Sequence, residues 1–272
     1  MIYVVKWDGR KEPFNREKII RTLLRLGAST DAAEQVVQRI EAEVYDGVTT
    51  KEILEKVFRG LEEFKPAIAL RQDLREAIGR MRPAPDFEEY VRILLRSHGY
   101  RVSGNRVIRG FCVTHEIDGI AEKDGETTYL EVKHHRDPHV YTPFGVTLAA
   151  KAKWDDIRKG FEKGLNRISF DKVLIVCNTK LTRHAAKYAE CIGLEHLGWN
   201  TPAGHGLGSL INERDLYPVT ILKRLTPDER DLLADGGIIT LKQLLTRDLQ
   251  RLKIPKRRLR KITSEARRIL EE

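Results

Sequence analysis

The tetrapeptide Lys123-Asp124-Gly125-Glu126 constrains this chain more than any other feature. Asp-Gly tolerates the positive φ angles of a type I′ turn, so it predicts a two-residue β-hairpin. With Asp124 and Gly125 at the turn centre, facing residues have numbers that sum to 249, which places Asp118 opposite Glu131 and Glu116 opposite Lys133. Strand alternation then puts Glu116, Asp118, Glu131 and Lys133 on one face, and Ile117, Gly119, Ala121, Leu130 and Val132 on the other. Facing residues hold their Cβ atoms about 4.5–5.5 Å apart, and like charges there oppose pairing unless a cation intervenes. Two readings follow. The charges are solvated on an exposed sheet face, or the carboxylates are hard oxygen ligands for a divalent cation, with Lys133 stabilising the charge that develops on an attacked phosphodiester.

The 272 residues exceed one ordinary domain, and two joints are expected. Arg82-Pro83-Ala84-Pro85-Asp86 breaks a helical pattern, and Asp86 is expected to cap the helix that follows. Gly198–Gly208, with four glycines and one proline, is expected to be a loop or linker, since it lacks the Gly-Lys-Ser/Thr ending of a phosphate-cradling loop. The expected domains are 1–82, 86–200 and 214–272.

The first opens with a strand, Ile2–Trp7, turning at Asp8-Gly9. Four helices are expected after it: one capped by Asn15 and closed by Gly27, two opened by the capping-box patterns Asp31-x-x-Glu34 and Thr49-x-x-Glu52, and one over Ala67–Met81. The middle reads as a helix (Phe87–Ser97), strands around Tyr100–Val102, Val107–Ile108, Phe111–Ala121 and Thr127–Lys133, a helix (Val146–Gly164), a buried strand (Lys172–Cys177) and a helix (Thr182–Ile192), the pattern of an α/β sandwich. Val219–Glu272 is helical by its period.

The middle segment resembles a known family at the residues Phe-Glu-x-x-Val-x-x-Leu-Leu-x-x-x-Gly-Tyr-x-Val, then His115-Glu116-Ile117-Asp118-Gly119-Ile120, then Glu131-Val132-Lys133. It is similar to the Mrr-like and archaeal Holliday-junction-resolvase branches of the PD-(D/E)xK, restriction-endonuclease-like nucleases. Val173-Leu174-Ile175-Val176 followed by Thr179-x-Leu-Thr-x-x-Ala185-x-x-x-Ala189-x-x-x-Gly193 resembles the Mrr-type ending of that fold, so the similarity runs from about Asp86 to Gly198. The resemblance implies a Mg²⁺- or Mn²⁺-dependent endonuclease acting on DNA. Asp118 and Glu131 would be metal ligands with the Val132 carbonyl assisting, and Lys133 the catalytic lysine. It also implies a helical acid, Glu88, for which Glu89 competes because only one of the two can face the sheet. His134 and His135 follow the motif and are expected in a surface role or ordinary packing rather than in contact with metal or DNA, and His98, His115, His139 and His184 are not expected to be zinc ligands. Lys151, Lys153, Trp154, Arg158 and Lys159 mark a basic helix that can face DNA or solvent.

The first 82 residues resemble an ATP-cone, a nucleotide-sensing module, at Lys6-Trp7-Asp8-Gly9, Glu12, Phe14, Asn15, Lys18-Ile19 and Tyr45-Asp46-Gly47-Val48-Thr49-Thr50. The resemblance implies ATP or dATP as effector, contacted by Lys6, Glu12, Asn15, Lys18 and Thr50. The alternative is a cone kept only as a structural bundle. The tail reads as a helix-hairpin-helix pair, turning at Asp235-Gly236-Gly237-Ile238 and again at Ile254-Pro255-Lys256. Gly236 and Gly237 would bring backbone N–H groups to DNA phosphates, and Lys256, Arg257, Arg258 and Arg260 would add counterion-releasing contacts. A helical bundle for dimerisation is the competing reading.

The expected architecture is therefore multidomain: a mostly-α ATP-cone, a central α/β restriction-endonuclease-like domain and an all-α helix-hairpin-helix. Charge agrees with a polyanionic partner, since the formal net charge is +9, and from Val219 onward 14 Lys/Arg stand against 8 Asp/Glu. Three cysteines with no C-x-x-C spacing, no membrane-length apolar run and no signal peptide lead us to expect a cytoplasmic protein without a membrane partner. A homodimer is the expected assembly for cutting two strands. The alternative function is a non-cleaving, nucleotide-responsive DNA-binding regulator.

Overall fold

The structure, a computed structural model, describes residues 2–26, 28–64 and 73–270. The expected stop at Gly27 and the part of the fourth helix before Asp73 lie outside them. The chain forms two compact units, Met1–Gln72 with Ile221–Leu232 and Leu244–Glu272, and Asp73–Thr220 with Leu233–Gln243.

In the first unit the strand β1 (Tyr3–Val5) pairs antiparallel with β2 (Lys11–Pro13) across the turn at Asp8-Gly9. Helices α1 (Arg16–Arg25) and α2 (Thr30–Glu43) follow, then the short strand β3 (Val48–Thr49), parallel to β1, and α3 (Thr50–Glu62). Asn15 caps α1 as expected, and Thr49 with Glu52 forms a complete capping box on α3. The start of α2 is corrected: Ser29, not Asp31, is its cap, accepting from the Ala32 amide. Leu23, Ala33, Val37 and Leu61 are fully buried between these helices.

The second unit opens with α4 (Leu74–Gly79), capped by Asp73, and a tight turn at Pro83–Phe87. Asp86 does not cap the following helix; it is buried and paired with Arg82 at 2.6 Å. After α5 (Glu88–Ser97) come β4 (Arg101–Ser103), the ribbon β5 (Arg106–Arg109) with β6 (Thr114–Ile117), β7 (Gly119–Lys123) and β8 (Glu126–Lys133). The rest of the α/β layer is β9 (Tyr141–Thr142), α6 (Phe144–Glu162), β10 (Lys172–Cys177), β11 (Lys180–Leu181), α7 (Arg183–Cys191) and β12 (Glu195–Leu197). The main sheet has the order β12-β10-β8-β7-β4, parallel from β8 to β12 and antiparallel from β8 to β4. β10 gives the buried run Val173–Cys177 because both its neighbours in the sheet are parallel and both faces are covered.

The helices α6 and α7 cover one face, where Ala150, Ile157, Ala185 and Ala189 pack with Ile120, Tyr129, Val173 and Ile175. The glycine-rich stretch expected as a joint runs straight into α8 (Leu207–Glu213), whose Leu207 and Ile211 are fully buried. The Tyr90 hydroxyl donates to the Leu216 carbonyl at 2.8 Å, so this unit continues past that stretch. The tail holds α9 (Pro227–Asp235), α10 (Leu241–Thr246) and α11 (Lys256–Leu270). Thr226 with Glu229, and Thr240 with Gln243, exchange side-chain and backbone hydrogen bonds that start the first two. Among the described residues no helix is long and apolar enough to cross a membrane.

One close approach sets where α6 lies. A Cβ on Gly160 would stand 2.8 Å from the Gly110 carbonyl carbon and 2.9 Å from the Arg109 oxygen, so only glycine lets the helix seat on the β5–β6 ribbon. Gly160→Ala is expected to cost about 1–3 kcal/mol in chemical denaturation, as overpacking against rigid backbone does; an unchanged midpoint would contradict this contact.

Candidate active site

The hairpin forms in the expected register: Gly119 faces Leu130, Ala121 faces Thr128 and Lys123 faces Glu126, with Asp124 and Gly125 both at positive φ. The ladder ends at Asp118. The segment expected as one strand, Phe111–Ala121, is two, and β6 turns away to pair with β5. Glu116 therefore faces Val107 rather than Lys133 and is exposed, which corrects its expected place in the cluster.

The break has a physical cause. The Asp118 amide still reaches the Leu130 carbonyl at 3.3 Å, but Asp118 Oδ2 accepts from the Val132 N–H at 2.6 Å. A side-chain oxygen thus serves the amide that a neighbouring strand would have served, and the carboxylate is brought beside the backbone that joins Glu131 to Lys133. Ile117, expected opposite to the acids, swings round and joins Ile120 and Tyr129 in the core under α6.

The acidic face is not a solvated face. Glu131 has only 3% of its side chain exposed. Its Oε1 meets Lys133 Nζ at 2.8 Å, and its Oε2 accepts from Lys153 Nζ at 3.1 Å and from the Tyr129 hydroxyl. Burial alone would raise the Glu131 pKa, but Lys133, Tyr129 and Lys153 outweigh it and hold the carboxyl below its ordinary value. Lys133 is correspondingly raised, burial notwithstanding, by Glu131 first and by Asp118 and Glu88 after it. Asp118 behaves oppositely. Burial pushes it up to about 6 against the Val132 amide, and the charges of Glu131 and Glu88 push the same way.

Glu88 rather than Glu89 is the helical acid brought to this place. Glu88 is 14% exposed, accepts from Asn105 Nδ2 at 3.0 Å and acts electrostatically on both Asp118 and Lys133. Glu89 turns to Arg92 at 2.7 Å and Arg96 at 2.9 Å. Buried Arg92 also donates to Asn105 Oδ1 and to the Asp118 carbonyl, at 2.8 and 2.9 Å, tying α5 to the point where the strand breaks.

The oxygen donors gathered here are of the type that a hard divalent cation takes. Asp118 and Glu131 supply carboxylate oxygens, and Val132, whose N–H binds Asp118, is the residue whose carbonyl joins them in the resemblance. Among the described residues no cationic side chain pairs directly with Asp118, and burial first, then the charges of Glu131 and Glu88, make its ionised form unfavourable. Sequence reasoning missed Tyr129 and Arg92 as partners and did not separate Lys153 from its helix. Only Tyr129 had a signal, its place two residues before Glu131 on the same face. His134 is structural: it is half-buried against Phe87, and its Nε2–H donates to the Ile78 carbonyl of α4 at 2.9 Å.

Residues 80–195 match the family model described as a restriction endonuclease, the Mrr catalytic type. Residues 2–72 match the ATP cone domain, and residues 217–270 the AF1548-like C-terminal domain. An uncharacterized protein of Archaeoglobus fulgidus is 31% identical over 180 residues, which cover 65% of this chain and 98% of that protein. The chain belongs to this restriction-endonuclease-like family. The crystal structure of the protein of unknown function AF1548 matches with a TM-score of 0.58 at 29% identity, covering 74% of this chain and all of that one. The large chain 2 of ribonucleoside-diphosphate reductase of Saccharomyces cerevisiae is 46% identical over 56 residues, which cover 19% of this chain and 6% of that enzyme.

In the ATP cone of this restriction-endonuclease-like protein the expected nucleotide contacts lie together. Glu12 Oε2 bridges Lys6 at 3.2 Å and Lys18 at 2.9 Å, Asn15 Oδ1 holds the Lys18 amide, and the Thr50 hydroxyl reaches the carbonyl of Val5, beside Lys6. In the tail, Lys256, Arg257 and Arg260 are exposed on α11, and Gly236 and Gly237 form the turn after α9. Arg258 departs from the expectation: it is taken up by Glu229, at 2.6 and 2.7 Å, and by the Arg224 carbonyl.

The raised Asp118 pKa has a consequence for stability with a definite sign. Between its ordinary value of 3.8 and about 6 the folded protein keeps a proton that the unfolded chain has released, so the ionised carboxylate destabilises the fold above about 6. Asp118→Asn keeps an oxygen for the Val132 amide. It is expected to stabilise the chelator-treated protein on the order of 1 kcal/mol at about pH 7.5, allowing for solvent screening, and by nothing near pH 4. Identical melting of the two proteins at the higher pH would rule out this penalty on the ionised carboxylate.

Proposed function

We propose that this protein is a Mg²⁺- or Mn²⁺-dependent DNA endonuclease of the repair or restriction kind, responsive to an adenine nucleotide. The observation that carries the reading is the Asp118 carboxylate bonded to the amide between Glu131 and Lys133. It gathers two acids and an ammonium group at one strand end. When bound there, the divalent ion would supply a water made nucleophilic near neutral pH and a positive charge for the attacked phosphate. Asp118 and Glu131 would orient the site, and Glu88 would accept a hydrogen bond from a water. Lys133, 39% exposed beside the buried Glu131, would donate to a non-bridging phosphate oxygen as charge accumulates on it.

Nucleotide response is supported by chain order and by a contact within the second unit. The helix α4, which directly follows the ATP cone in sequence, accepts a hydrogen bond from His134, the residue after Lys133. Gly79 of α4 lies so close to the Arg136 carbonyl that a Cβ would stand 2.6 Å from it. A displacement of α4 is therefore felt one residue from Lys133. ATP or dATP at Lys6, Glu12, Asn15, Lys18 and Thr50 would be the effector. A helix-hairpin-helix role for the tail, with Gly236 and Gly237 in its turn, and a homodimer that places one site on each strand, complete the reading.

Plasmid, single-stranded and four-way-junction DNA, incubated with Mg²⁺ or Mn²⁺ and with or without ATP, test it. Asp118→Ala is expected to abolish cleavage and Lys133→Met to lower kcat by about 10²–10³-fold with DNA binding retained; undiminished cutting by either would refute the assignment and leave the non-cleaving regulator. The tail is tested by salt dependence. Replacing Lys256, Arg257 and Arg260 by Ser should weaken DNA binding on every sequence and reduce the slope of log K against log salt by about 3, near 0.9 for each phosphate no longer neutralised. An unchanged slope would assign the tail to protein contacts.

A further inference from the structure

The buried Glu131 carboxylate has more cations than a single catalytic lysine provides. Lys133 sits on Oε1, while Lys153 and Tyr129 sit on Oε2, the opposite oxygen. Lys153 is no drifting surface lysine. It projects from α6 between the fully buried Ala150 and Ile157, and its Nζ also donates to the Glu116 carbonyl at 3.3 Å. One turn on, Asp156 accepts from the Cys112 and Val113 amides at 2.8 and 3.2 Å and is hydrogen-bonded to His115, and Gly160 seats the helix on the β5–β6 ribbon. The lysine is mounted on an element fixed at several points.

Lys133 has two demands on it. It neutralises a carboxylate that is almost wholly out of water, and under the proposed function it must also reach a phosphodiester. An uncompensated buried charge is strongly unfavourable, so a sole counter-ion cannot leave. We propose that Lys153 is the resident counter-ion of Glu131: it anchors Oε2 permanently, which releases Lys133 for the substrate and Oε1 for the divalent cation. Lys153 is a positioning residue; it touches neither substrate nor metal. The inference rests on the nuclease reading, but it concerns a contact that reading does not use.

The test uses the full chain and three variants, Lys153→Met, Lys153→Gln and Lys153→Arg, with Mn²⁺ as the probe ion. Mn²⁺ binding without DNA is read by titration calorimetry, plasmid cleavage gives kcat and KM, and a thermal melt checks the fold. In Lys153→Met, Lys133 is held on Oε1, so Mn²⁺ affinity and kcat should each fall roughly 10-fold or more, in the range seen when partners of metal ligands are removed. KM for DNA should hardly move, and Lys153→Arg should recover most of both decreases. If Lys153→Met does not fold, Lys153→Gln, which keeps a donor without the charge, carries the same expectations.

Mn²⁺ affinity and kcat unchanged in the folded Met or Gln variant would overturn the proposal. So would a folded Arg variant as impaired as the Met one. A wild type that binds Mn²⁺ but cuts nothing sinks the nuclease reading alone, and the calorimetry still decides Lys153. A wild type that cuts, with Lys153→Met cutting equally well, sinks only the role of Lys153. Failure of the wild type to bind Mn²⁺ overturns both.

Discussion

Keeping one carboxylate charged inside a protein core is the constraint on which the second unit depends. Glu131 stands on a central strand under a helix, at 3% side-chain exposure, where an ionised acid is unfavourable unless its oxygens are fully occupied. The fold meets that demand from three directions: a tyrosine on the same strand, a lysine two residues along it, and a lysine from α6. Each partner comes from an element that the core already packs, so the charge is held by the same contacts that hold the sheet.

The opposite end of the site is governed by a defect in the sheet. Asp118 gives its side-chain oxygen to the Val132 amide, the β7–β8 ladder stops there, and β6 leaves to make its own ribbon with β5. Arg92 from α5 and Asp156 from α6 then tie down the two sides of that departure. The result is an asymmetric pair of acids. Glu131 is stabilised as an anion by its cationic and hydroxyl partners, whereas burial makes ionisation of Asp118 unfavourable.

Much of this was legible along the chain because it is local. Asp-Gly at the turn set the hairpin register, and the expected sum of facing numbers holds from Gly119 to Glu126. Asn15 and Thr49 cap the helices they precede, and the β-branched run at Lys172–Cys177 is a strand with those bounds. What failed was also instructive. Asp86 had the right spacing for a cap but was drawn to Arg82, and Ser29 rather than Asp31 accepts from a free amide at the start of α2. The strands β2, β3, β9, β11 and β12 are two or three residues long and carry no period to read. They exist because a partner strand is present.

From the sequence alone come the hairpin, its acids and lysine, the cone's cluster of charges and the basic last helix, since turn preference, alternation and capping act over a few residues. Only the tertiary structure could end the ladder at Asp118, choose Glu88 over Glu89, draw Arg258 to Glu229 and single out Lys153 from the five cations and aromatics of its helix. Those outcomes depend on which buried charge stands within hydrogen-bonding reach. That is a matter of packing between elements far apart in the chain, and no local spacing records it.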